Sequence, residues 1–92
     1  MKYKAILTNS FKREYCRMER RGENMALLDT VIELLRKGEP LPVKYRDHAL
    51  IGNYKGSREC HIKPNWLLIY RIEEQALVLM LTHTGTHSDL FR

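Results

Sequence analysis

Two apolar runs, Trp66 to Ile72 and Ala76 to Thr82, are separated only by the acidic turn Glu73, Glu74 and Gln75. So short a polar turn makes the runs adjacent antiparallel strands. Just before them, Ser57 to Lys63 alternates, with Arg58, Cys60 and Ile62 on one face and Glu59, His61 and Lys63 on the other. Pro64 and Asn65 supply the turn between. The C-terminal half is therefore expected to be a β-meander, and the rest of the chain must pack on it.

The N-terminal half supplies the other layer. Tyr3, Ala5 and Leu7 alternate with Lys4, Ile6 and Thr8, which predicts a first strand over residues 2 to 8. Asn9 and Ser10 offer capping oxygens to a helix carrying Phe11, Tyr15 and Met18 on one side, ended by Gly22. Asn24 caps a second helix with the stripe Leu28, Val31, Ile32 and Leu35, flanked by Leu27, and Gly38 closes it before Pro40 and Pro42. The expected class is α+β: a strand, then a two-helix hairpin lying on a mostly antiparallel sheet. Residues 41 to 56 read as loop with room for a short strand, and Leu90 and Phe91 are expected to anchor the tail to the sheet.

A chain of 92 residues has material for one domain, spanning residues 1 to 92, and one core. Any active site must then lie open or be completed by a partner, which favours a macromolecular substrate. Sixteen Lys and Arg against eleven Asp and Glu leave a net charge of +5, a balance suited to polyanions. The apolar runs are too short to span a bilayer, the first residues do not read as a charged, apolar, small-residue signal pattern, and two cysteines far apart suit a reduced setting. A soluble, cytoplasmic protein with free Cys16 and Cys60 is expected.

All four histidines, His48, His61, His83 and His87, lie in the second half. Histidine exchanges protons near neutral pH without special tuning. Metal-free RNA cleavage needs a base for the 2′-hydroxyl, cations for the charged phosphorane and an acid for the departing 5′-oxygen. His48, His61 and His87 are the candidates for proton transfer. Lys44, Arg46, Lys55, Lys63 and Arg71 are the candidates for holding RNA, with Phe91 as a stacking ring. Arg58 has the opposite strand parity from His61 and reads equally as an ion-pair partner. The structural alternatives are a turn role for His48, a solvated strand face for His61, a strand end for His83 and a helix or turn cap for His87. His83 and His87 have a ligand-like separation, but no paired-cysteine or HExxH spacing accompanies them, and no metal site or other cofactor is expected. Cys60 falls on the core face, where a thiol is inert.

The run KYRDHALIGNYKGSRECHIKPNWLLIYRI, followed by LTHTGTHSDLF, resembles the YafQ branch of the RelE-like toxins, ribosome-dependent mRNA endonucleases of bacterial type II toxin–antitoxin systems. Its signature, DHxLxGxxxGxRExHIxPxWLLIY with a terminal GTHxxLF, occupies residues 44 to 91. The resemblance implies a RelE-like fold and cleavage of translating mRNA in the A site of the 70S ribosome, leaving a 2′,3′-cyclic phosphate. It also implies an antitoxin partner. By position it assigns the catalytic histidines to His48, His61 and His87, the acidic strand residue to Glu59 and the C-terminal aromatic to Phe91. One position departs: where the family usually carries Asp after the proline, this chain has Asn65, which cannot ionise or carry a proton at neutral pH. Asn65 therefore either orients a histidine or attenuates the enzyme. The alternative reading is a catalytically weak or inactive relative of the same fold that binds RNA or antitoxin.

Overall fold

The computed structural model describes residues 1–91. Five strands form one mixed sheet: β1 (Lys4–Leu7), β2 (His48–Ala49), β3 (Arg58–Lys63), β4 (Trp66–Glu73) and β5 (Val78–Gly85). Their spatial order is β1-β5-β4-β3-β2. The β2–β3–β4–β5 pairings are antiparallel, and β1 joins β5 in parallel. Helices α1 (Asn9–Arg20) and α2 (Met25–Lys37) intervene between β1 and the rest, and a one-turn helix α3 (His87–Leu90) follows β5.

The helices bury the faces that their periodicity marks. Phe11 and Met18 of α1 and Leu28, Val31 and Leu35 of α2 share a buried core with Cys60, Ile62, Trp66, Leu68, Tyr70, Leu79 and Leu81 of the sheet. Leu27 is off that stripe, 39% exposed. Asn24 caps α2 through its side chain, and Gly38 ends it at a φ of 76°, where a β-carbon is strained. The cap of α1 is a correction: Thr8, not Asn9 or Ser10, accepts the Phe11 N–H, because the strand releases the chain one residue earlier.

The last strand also differs from its sequence boundaries. The turn extends to Leu77, at a φ of 52°, so β5 starts at Val78 rather than Ala76 and runs to Gly85 rather than Thr82. His83 thus lies within the strand. A register shift at Ile69 and Tyr70 leaves Thr82 as the extra residue of β5, and its hydroxyl donates to the Ile69 carbonyl beside it. The extension carries the chain end back across β4. Edge strand β1 is less buried than its alternation suggests, with Ile6 and Leu7 at 40% and 42% exposure. Among the described residues no helix is long and apolar enough to cross a membrane.

Candidate active site

Glu59 and His61 lie two residues apart on β3 and so face the same way. Ile69 and Leu67 are their cross-strand neighbours on β4, both fully buried yet outside the helix-facing core. His48 lies on β2 directly opposite Glu59. One carboxylate oxygen, Glu59 Oε2, is 3.2 Å from His48 Nε2 and 3.5 Å from His61 Nε2. Glu59 is only 6% exposed, unlike the solvated strand face that is the structural alternative to a functional one here. The β2 loop covers it, and an ionised carboxylate at such a position needs partners, here the two rings.

The second nitrogen of each ring differs. His48 Nδ1 is 2.9 Å from the Arg46 carbonyl oxygen, so both its nitrogens face acceptors and both are satisfied only when each carries a proton. His61 Nδ1 is buried without a hydrogen-bond partner.

The third ring arrives from the chain end. Thr86 caps α3: its hydroxyl accepts the Asp89 N–H while Asp89 accepts the Thr86 N–H. Arg21, at the end of α1, donates to both Asp89 oxygens at 2.7 and 3.0 Å. The Arg21 guanidinium, helped by the Thr86 donors, holds the Asp89 carboxyl far below the usual carboxylate range. So anchored, His87 meets Asn65 in the β3–β4 turn. Asn65 Oδ1 accepts the His87 main-chain N–H at 3.1 Å and lies 3.0 Å from His87 Nδ1. Because the main chain can only donate, the amide oxygen must face it. Nδ1 then carries the proton and Nε2 is left bare in the neutral ring.

The rings form a row, with centroids 6.3 Å apart for His48 and His61 and 5.9 Å for His61 and His87. Phe91 continues it, 6.4 Å from His87 and 5.4 Å from Tyr54. The cations lie at both ends of the β3 segment. Lys44, Arg46 and Lys63 line a pocket next to His61. At the other end the Arg71 guanidinium lies against Gly56, and exposed Lys55 precedes that glycine. Lys63 also pairs with Glu23 at 2.9 Å, and Arg71 with Glu73 at 3.4 Å.

The remaining residues take structural places. His83 bonds Glu14 of α1 and stands outside the row. Arg58 grips Asp47, which also accepts the Tyr70 hydroxyl and so pins the residue preceding His48. Burial, with Asp47 adjacent, pushes that hydroxyl well above its usual range. Cys60 is buried in the core and its thiol is pushed up by desolvation. Among the described residues no group of three His, Cys, Asp or Glu side chains converges as metal ligands do. Sequence reading missed the Arg21–Asp89 anchor. The Thr86-x-x-Asp89 spacing is a legible capping box, but nothing local to Arg21 announces a partner 68 positions away.

The family described as the bacterial toxin of type II toxin–antitoxin system, YafQ, matches residues 3–92. The mRNA interferase toxin YafQ of Escherichia coli K12 is 39% identical over 74 residues, 79% of this chain and 78% of that protein. The E. coli DinJ–YafQ complex contains a chain that superposes with a TM-score of 0.89 at 32% identity, covering 98% of this chain and 99% of that one. A metal-bound toxin from Helicobacter pylori superposes with a TM-score of 0.91 at 37% identity, covering 97% and 99%.

Proposed function

This chain belongs to the YafQ family of toxins of bacterial type II toxin–antitoxin systems, and we propose that it is an mRNA interferase that cuts translating mRNA in the ribosomal A site by acid–base catalysis. One observation carries the chemistry: three imidazoles in a row, two sharing the Glu59 carboxylate and the third turned by Asn65 to present a bare Nε2. The proposed reaction is attack of a 2′-oxygen on the adjacent phosphorus. The 2′-proton passes to a histidine, the P–O5′ bond breaks, and a second histidine gives its proton to the 5′-oxygen. A 2′,3′-cyclic phosphate and a 5′-hydroxyl result.

His87 and His61 are the natural pair for the two transfers. His48, with acceptors at both nitrogens, is suited to hold positive charge beside Glu59 and the phosphorane. Phe91, supported by Tyr54, offers a ring for a splayed base. Lys44, Arg46, Lys55, Lys63 and Arg71 bind the strand on either side. The proposed cytoplasmic location follows from the ribosome as its workplace.

Asn65 sharpens the alternative of an attenuated enzyme. It orients His87 through a neutral amide, where a carboxylate would also stabilise the imidazolium. We infer an active toxin whose His87 step is slower than with Asp at this position. The H. pylori relative is described as metal-bound. In this chain the candidate ligands are already engaged, His48 and His61 with Glu59 and His87 with Asn65, and no step here requires a metal. By analogy with the DinJ–YafQ complex, an antitoxin is the proposed protein partner, competing with RNA for the basic face.

Induced expression tests the reading. Growth should stop, and His61→Ala or His87→Ala should relieve the arrest while the protein stays folded. Normal growth with abundant folded parent protein would reject it.

A further inference from the structure

A pocket of about 200 Å³ opens where β3 ends, beside His61. A register shift between His61 and Lys63 breaks the alternation there, so consecutive residues of one strand line one cavity. Its walls are apolar, from Leu27, Ile62 and Pro64, with Tyr45 alongside. Lys44, Arg46 and Lys63 complete the lining.

We propose that this pocket receives one unstacked base of the RNA, from the nucleotide next to the scissile phosphate. The proposal rests on the endonuclease reading and assigns Leu27 and Tyr45 a part in substrate recognition. A free anion would need the cations but not the apolar walls, and an apolar ligand would need the walls but not three cations. A nucleotide needs both: a flat, poorly hydrated base and a phosphate on either side. His61 belongs to both the pocket and the histidine row, which places that base beside the reacting phosphate.

Two local features fit the assignment. Arg46 is a non-glycine residue at a φ of 51°, a strained conformation that clusters at ligand sites. Arg46 lines the pocket and its carbonyl meets His48 Nδ1, which couples the recognition wall to the histidine row. Lys44 Nζ lies 5.1 Å from the Tyr45 ring centroid, holding a cation beside a stacking surface. The Lys63–Glu23 pair is exposed and weak enough to yield to a phosphate.

The test is a binding cycle on the whole chain. Short RNAs with 2′-deoxyribose at the scissile position, which blocks cleavage, carry a single abasic nucleotide stepped along the strand. Each is titrated against the parent, against Leu27→Trp, which fills the pocket from an exposed helix position, and against Leu27→Ala, which leaves it open. For the parent, removing the base at one position should weaken binding between about fivefold and about 150-fold, the range of base–aromatic stacking; Leu27→Ala, which shortens one wall without filling the space, should show a smaller loss at that same position. With Leu27→Trp that difference should vanish while neighbouring positions keep theirs. A flat abasic series for the parent, or a Leu27→Trp series parallel to it, would overturn the pocket. Cleavage of mRNA in a translating extract is read alongside: a parent that cuts there but gives a flat series loses only the pocket, whereas one that never cuts there loses the endonuclease reading.

Discussion

The Arg21–Asp89 anchor gives the sharpest prediction, because it lies outside the chemistry and yet sets its geometry. In Asp89→Asn the shape is kept and the charge removed. Of the two charge-assisted hydrogen bonds, at 2.7 and 3.0 Å, one is lost because the amide NH2 cannot accept from Arg21, the other keeps only the guanidinium charge, and the more distant attraction to Arg17 at 3.9 Å is lost. Hydrogen bonds to charged groups contribute about 1.5–3 kcal/mol. Arg21 is 42% exposed, so solvent screening reduces this, and the amide oxygen can still accept the Thr86 N–H. A net loss of about 1–2 kcal/mol remains, equal to roughly a five- to thirtyfold shift in the docking equilibrium of α3. One helical turn has no stability of its own, so the shift appears as undocking of His87 rather than as unfolding. Cleavage rate and thermal midpoint are therefore measured together. With α3 docked only marginally in the parent, the rate constant should fall severalfold, up to about thirtyfold, while the midpoint moves less than the roughly 4–8 °C that 1 kcal/mol of global destabilisation gives a domain this size. Activity within twofold of the parent would refute the anchoring argument. So would a loss of activity that only tracks the midpoint.

Asn65→Asp should raise the cleavage rate, since a carboxylate 3.0 Å from His87 Nδ1 would stabilise the imidazolium formed during proton transfer; an unchanged rate would show that Asn65 already does all that this position can. Gly85→Ala should cost activity without gross unfolding, because an added β-carbon would lie 3.0 Å from Asp89 Cβ and Oδ2; activity equal to the parent's would refute the tightness of that turn. Acid should release the tail early. The Asp89 carboxyl is depressed in the folded chain, so its stabilisation is complete above the unfolded value of about 3.9 and lost as pH falls below it. The Leu90 and Phe91 amides, bonded to the Thr86 and His87 carbonyls, should lose exchange protection in that range before the core-facing Trp66 indole N–H does, and Asp89→Asn should lack the transition.

The frame was legible wherever local chemistry and burial agree. The stripe of α2, its Asn24 and Gly38 caps and the meander follow from periodicity because a small core leaves those faces no other place. Boundaries set by tertiary pairing were not legible. Leu77 takes a positive φ that nothing in its side chain invites, and β5 runs on to Gly85 because β4 offers it a partner. The site divides in the same way. Proton-transfer chemistry pointed to His48, His61 and His87, and the family resemblance added Glu59, but strand parity alone left a solvated face open for Glu59. Its burial comes from β2, a two-residue strand too short to announce itself. The Arg21–Asp89 clamp and the Asp47–Tyr70–Arg58 network join distant segments, and no local pattern encodes such pairs.

The most direct test of the central claim is the chemistry of the cut ends. In a translating extract the parent should create codon-phased breaks bearing a 5′-hydroxyl, labelled by kinase without prior dephosphorylation, and a 2′,3′-cyclic phosphate on the upstream fragment. His87→Ala, folded and at equal concentration, should leave none. No new ends with the parent, ends bearing a 5′-phosphate, or undiminished cutting by His87→Ala would contradict the account.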